Sequence, residues 1–181
     1  MSKPLRSSIL SMLVIGSVAT IAAYSPASIA KDEVTLTPIK FDGYLAAIAA
    51  NKSAKLTVVD AWATWCAPCK ENFPHLVEMH KKDADKGLAV ISLSLDDVEK
   101  PKKIAEAKAF LVEKGATFRN FVLDETADAA FERLNIVAIP AVFLFGPDGK
   151  EIKRFTLDDP NKQFTYDEVE KAIVAALGSV K

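Results

Sequence analysis

Hydrophobic positions along residues 31 to 181 change period repeatedly, from short continuous runs to apolar residues recurring every three or four positions. The continuous runs read as buried strands and the recurring ones as amphipathic helices. Val34 to Ile39 predicts a first short strand, and Asp42 is placed to cap a helix running through Ala50. Leu56 to Trp62 is apolar and β-branched apart from Asp60, which suits a central strand covered on both faces. A helix is expected from Ala67 to Lys82, with Phe73, Leu76, Val77 and His80 on its apolar face and a kink at Pro74.

Leu88 to Leu95 predicts the next buried strand. Pro101 then opens a helix in which Ile104, Ala107 and Leu111 share a face, and Gly115 ends it. Phe121 to Leu123 reads as a short strand and Ala127 to Leu134 as a short helix. Ala141 to Phe145 and Glu151 to Phe155 flank Gly146-Pro147-Asp148-Gly149, which has the residues of a hairpin turn. Val169, Ile173 and Leu177 mark a last amphipathic helix that should cover the sheet. Strands and helices in this order make an α/β domain.

Residues 1 to 30 differ in kind: Lys3 and Arg6, an apolar run from Ile9 to Ala23, then Ser28-Ile29-Ala30. That is the layout of a secretory signal, with cleavage expected after Ala30. The apolar part falls short of the roughly 20 residues of a spanning helix. An uncleaved leader would leave a membrane tether. No cysteine lies near the cut, so a lipoprotein anchor has no acceptor. Residues 31 to 181 are expected to form one domain, acting as a monomer in the periplasm or another extracytoplasmic space. Taking the two leader charges from 23 basic residues leaves 21 against 24 acidic ones. A net charge near −3 gives no electrostatic reason to expect a nucleic-acid partner.

The chain has two cysteines, Cys66 and Cys69. Three apart at the start of a helix, they can close a disulfide within its first turn, with one sulfur exposed and the other beneath it. The unpaired amides and the positive dipole end stabilise a thiolate there, which makes Cys66 the nucleophile. Cys69 then attacks the mixed disulfide and releases the substrate. Pro68 sits where a missing donor costs nothing. On its own the CxxC spacing also fits half a zinc site or a structural disulfide. Zinc would need further ligands, and the histidines on offer are His80, on the apolar face, and His75, expected to be solvated.

The stretch from Val58 to Lys70, Val-Val-Asp-Ala-Trp-Ala-Thr-Trp-Cys-Ala-Pro-Cys-Lys, with Pro74 beyond it, resembles the active-site strand, turn and helix of the thioredoxin superfamily. Ile139-Pro140 before Ala141 to Phe145 resembles that family's cis-proline strand. From Cys69 to Pro140 is 71 positions, longer than in the smallest thioredoxins. The insertion, carrying Ser92-Leu93-Ser94-Leu95-Asp96-Asp97 and Phe121-Val122-Leu123-Asp124, is similar to that of exported TlpA, ResA and DsbE-like reductases. The resemblance implies a thioredoxin fold, a central mixed sheet flanked by helices with an insertion between the active-site helix and the cis-proline strand. It also implies a thiol-disulfide oxidoreductase that needs no cofactor and no metal, acts on protein thiols and disulfides, and draws electrons from a membrane thiol donor, as in cytochrome c maturation.

Site roles follow from the same resemblance. Cys66 and Cys69 form the redox disulfide. Asp60 is the buried acid that helps Cys69 lose its proton, and burial should raise its pKa. The bland alternative is an aspartate at a strand end that bonds the following turn. Trp65, Ala67, Pro68, Ile139 and Pro140 make the substrate surface, where an extended segment pairs with the backbone of Ile139 beside Cys66. Pro140 could also be an ordinary trans proline at a strand start. Trp62 is expected in the core and Trp65 on the surface.

Two departures limit the carry-over. A glutamate common three residues after the second cysteine is replaced by Asn72, with Glu71 one place earlier, and the lysine that pairs with the buried acid is replaced by Ser92. An oxidase that donates its disulfide remains an alternative, because about 30 mV, or roughly 1.4 kcal/mol, is enough to alter the balance. A copper metallochaperone of the same fold would carry three residues between its cysteines, where this chain has two.

Overall fold

All seven positions of β2 (Leu56–Trp62) are buried, so this strand belongs in the middle of a sheet with both faces covered. The computed structural model, which describes residues 33–159 and 161–179, puts it there. β2 runs parallel to β3 (Leu88–Ser94) on one side and antiparallel to β5 (Ala141–Phe145) on the other. Beyond β3 lie β4 (Arg119–Leu123) and β1 (Thr37–Ile39), both parallel, and beyond β5 lies the antiparallel β6 (Glu151–Phe155). The order is β1-β4-β3-β2-β5-β6. The leader read from the sequence lies outside the described residues.

Parallel neighbours need long crossovers, and helices supply them. α2 (Ala67–Asp83) connects β2 to β3, and α3 (Pro101–Lys114) connects β3 to β4. α4 (Ala127–Leu134) precedes β5, α1 (Phe41–Ala49) follows β1, and α5 (Tyr166–Ser179) follows β6. β3, α3, β4 and α4 therefore all lie between α2 and the proline before β5. α2 packs against both α3 and α5, and α5 rests on β2. Trp62, Phe73 and Phe110 close the core beneath the start of α2, with ring centroids 5.0 to 5.2 Å apart. Such offset contacts add to simple burial.

Differences from the sequence expectation are confined to ends. β1 begins at Thr37 instead of Val34, because only three residues find partners on β4, although Val34 and Leu36 still pack on the core. α1 is capped by Lys40, and Asp42 lies inside its first turn, paired with Arg133 at 2.6 Å. There the carboxylate meets the helix dipole without bonding an end amide. β4 starts two residues early, since the Asn120 side chain bonds the carbonyls of Ala116 and Phe118 and fixes the strand's entry. α2 carries Pro74 inside it, where the sequence places it.

Antiparallel pairing of β2 with β5 decides where the site can form. It sets Ala61, near the end of β2, opposite Ala141, the first residue of β5. The segment leaving β2 and the segment entering β5 therefore meet at one end of these two interior strands.

Candidate active site

Cys66 is the N-cap of α2, with extended backbone, and its sulfur accepts a hydrogen bond from the Cys69 amide at 3.2 Å. Ala67 and Pro68 fill the first helical positions, so the proline withholds a donor only where the helix has spare ones. The two cysteines are joined by a disulfide, with Cα atoms 5.3 Å apart. The sequence reading has the first cysteine exposed and the second beneath it, but both are buried, Cys66 at 5% exposure because the Ile139 backbone lies against its sulfur and Cys69 at 1%, while the neighbouring Trp65 is 55% exposed. Ala67 and Pro68 are exposed beside it.

The Ile139–Pro140 peptide is cis, and the Ile139 carbonyl oxygen lies 3.6 Å from the Cys66 sulfur. In the disulfide that sulfur has no proton, so this is a contact. A groove of about 510 Å³ leads away from this point, with Pro68, Pro140, His75 and Phe164 in its wall.

Asp96 holds the turn that presents Cys66. Its buried carboxylate accepts from the Thr64 amide at 2.9 Å, the Thr64 hydroxyl at 2.6 Å and the Ser94 hydroxyl at 2.8 Å. Two residues before the cysteine, the backbone is thus tied to the loop after β3.

Asp60 lies inside β2, opposite Ser92 of β3 and Val142 of β5, and is 1% exposed. Its Oδ2 accepts from the Tyr166 hydroxyl at 2.8 Å, and its Oδ1 has no hydrogen-bond partner among the described residues. Burial pushes its carboxyl up to about 7, against the opposing pull of the Tyr166 bond. The strand-end alternative fails, because the carboxylate bonds a helix 106 positions away and not the following turn. Ser92, where the sequence misses a lysine, donates instead to Asn120 at 2.8 Å.

His75, expected to be solvated, is half-buried and stacked on the Tyr166 ring with centroids 5.7 Å apart. The apolar wall formed by Tyr166 and Phe164 draws the imidazole in. His80 is half-buried, edge-on to Phe118 at 5.3 Å. Trp62 is fully buried. Glu71 is exposed, and Asn72 donates to the Pro68 carbonyl at 2.9 Å. Among the described residues no cluster of three or more His, Cys, Asp or Glu is placed to hold a metal ion.

Sequence reasoning gave no role to Tyr166, nor to Asp96 and Thr64, which stand inside the motifs it quotes. For Tyr166 half a signal existed, since Thr165 and Glu168 form a capping box: the Thr165 amide donates to the Glu168 carboxylate at 2.8 Å, and the Glu168 amide donates to the Thr165 hydroxyl at 3.3 Å. The box predicts where α5 starts but not what its first side chain meets.

The model of the family described as Redoxin matches residues 33–173. The chain belongs to the Redoxin family. This Redoxin chain is 28% identical over 95 residues to the thiol-disulfide oxidoreductase ResA of Bacillus subtilis (strain 168), a match covering 52% of the chain and 49% of ResA. It is 32% identical over 95 residues to the thiol:disulfide interchange protein CycY of Rhizobium leguminosarum bv. viciae, covering 52% and 46%. The chain spans about half the length of the curated relatives it matches. Among solved structures, a Chlorobium tepidum protein assigned as thiol:disulfide interchange protein DsbE superposes with TM-score 0.56 at 27% identity, covering 71% of this chain and 84% of that one. A secreted Mycobacterium tuberculosis disulfide oxidoreductase homologous to DsbE superposes with TM-score 0.53 at 17% identity, covering 70% and 85%. The fold of this Redoxin chain is therefore thioredoxin-like, with its cysteine pair at the start of α2.

Proposed function

We propose that this protein is an extracytoplasmic thiol-disulfide oxidoreductase that reduces disulfides in protein substrates, with electrons supplied by a membrane thiol donor and cytochrome c maturation as its setting. The observation that carries the reading is the Cys66–Cys69 disulfide at a helix N-terminus, with the backbone of Ile139 against the Cys66 sulfur. The similarity to ResA and CycY supports it.

In the reduced protein Cys66 attacks a substrate disulfide as the thiolate, forming a mixed disulfide and expelling one substrate sulfur, which takes up a proton. Cys69 gives its proton to Asp60, attacks Cys66 and expels the second substrate sulfur. Two electrons have passed from the cysteine pair to the substrate, and the disulfide of the described structure is the product. An extended substrate segment lies along Ile139 and Pro140, with Trp65, Ala67 and Pro68 as its second wall. Asp60 suits the acceptor's role because a carboxyl that titrates near 7 takes up and returns a proton at neutral pH.

The test is capture with Cys69→Ser in the extracytoplasmic space. A protein held by a mixed disulfide on Cys66 is expected, and a Cys66→Ser control should hold none. Absence of any adduct would overturn a protein substrate. Equilibration with a glutathione buffer reads the direction of transfer, and a potential near the roughly −120 mV of DsbA would reverse it.

A further inference from the structure

Asp60 is a buried carboxyl at the centre of the sheet. No lysine or arginine among the described residues pairs with it. The groups facing it are Ser92 from β3, Val142 from β5 and Tyr166 from α5, with His75 of α2 behind the tyrosine ring. Ser92 is turned to Asn120, so the one bond the carboxyl receives among the described residues is from Tyr166.

Tyr166 is itself firmly placed. It opens α5 under the Thr165 and Glu168 cap, its ring is stacked on His75, and Phe164 flanks it at 5.9 Å. Burial, then the charge of Asp60, holds its hydroxyl well above the ordinary tyrosine range, so it remains a donor throughout the working pH range.

We propose that Tyr166 is a positioning residue for proton transfer at Cys69: by donating to Oδ2 it turns Asp60 so that Oδ1 is the open acceptor, and it stabilises the ionised form that accepts the proton. This rests on the reading of Asp60 as that acceptor. In the resolving step the Cys69 proton passes to Oδ1. The Cys69 sulfur bonds to the Cys66 sulfur as the bond from Cys66 to the substrate breaks, and the substrate sulfur leaves with that electron pair and is protonated. Tyr166 keeps its own proton throughout. It takes the place of the missing lysine with a neutral group, which supports the carboxylate without adding a buried charge.

Tyr166→Phe, Asp60→Asn and the double variant of the full chain separate the two claims. The carboxyl carbon of Asp60 is titrated by NMR, and the rate of resolution of a Cys66 mixed disulfide is followed against pH. Tyr166→Phe keeps the ring against His75 and removes the donor, so the Asp60 midpoint should rise by roughly one pH unit. The acid limb of the rate should move with it, a roughly tenfold loss below the midpoint. Glu168→Ala, an exposed change that slackens the cap, must move the midpoint in the same direction. Asp60→Asn should abolish the limb, and the double variant should match it. An unmoved midpoint in Tyr166→Phe, with the limb still lost in Asp60→Asn, overturns the role of Tyr166 and leaves Asp60 standing. An unchanged profile in Asp60→Asn removes the acceptor reading itself.

Discussion

Asp60 links burial to pH at the scale of one side chain. Its carboxyl is raised from 3.8 to about 7, so between those values the folded chain binds a proton that the unfolded chain has released. Stability from this group is therefore whole below about pH 4, falls as pH rises, and is lost above about 7. Asp60→Asn is expected to stabilise the protein by about 2–4 kcal/mol at pH 8 and by almost nothing at pH 4, measured by denaturant unfolding at both. A gain independent of pH would contradict the burial argument. Asp60 was legible in the sequence because a lone charge inside an apolar run has to be explained. Tyr166 was not, because its role depends on a contact across 106 positions that no local pattern encodes. The reading of His75 as solvated failed for the same reason, since helical spacing shows which residues share a face and not what lies opposite.

Among elements, the turn between β2 and α2 is held by a buried carboxylate. Asp96 supplies three acceptor bonds to Thr64 and Ser94, all in buried surroundings. Asp96→Ala would strand those donors, and a loss of about 3 kcal/mol in unfolding free energy is expected. The same variant should slow exchange at Cys66, because Thr64 precedes it by two residues. The hairpin between β5 and β6 is similarly constrained: Gly149 has φ of 78°, and a Cβ there would lie 2.9 Å from the Ala49 Cα. Gly149→Ala should cost at least about 1–2 kcal/mol, read as a lower melting temperature. Elements whose boundaries carry chemical punctuation, such as Pro101 and Gly115 around α3, were readable almost to the residue. Edge strand β1 and the start of β4 were not, because pairing and the Asn120 bonds set their limits.

Over the whole molecule, the topology brings Trp65, the strongly exposed aromatic among the described residues, to the end of the interior strands where Cys66 meets Ile139. If that surface seats protein substrates, Trp65→Ala should lower kcat/KM roughly tenfold or more for a protein disulfide. The rate with a small aromatic disulfide should stay near that of the parent. Equal losses with both substrates would mean that the tryptophan serves the cysteine and not docking. The order of strands followed from the alternation of patterns only as far as an α/β class. The antiparallel pairing of β5 with β6 was legible in the turn residues Gly146 to Gly149 between them, whereas the pairing of β5 with β2 has no local signal.

The bond between Tyr166 and Asp60 also has a meaning in time. A chain made from its N-terminal end carries both cysteines and the carboxyl long before Tyr166 exists. Until α5 docks, Asp60 lacks its bond from Tyr166 and β2 lacks part of its cover, and a carboxyl less fully buried titrates nearer its ordinary value. A half-made chain thus has its sulfurs but not the finished surroundings of the buried carboxyl, and arrival of the helix both closes the core and completes them.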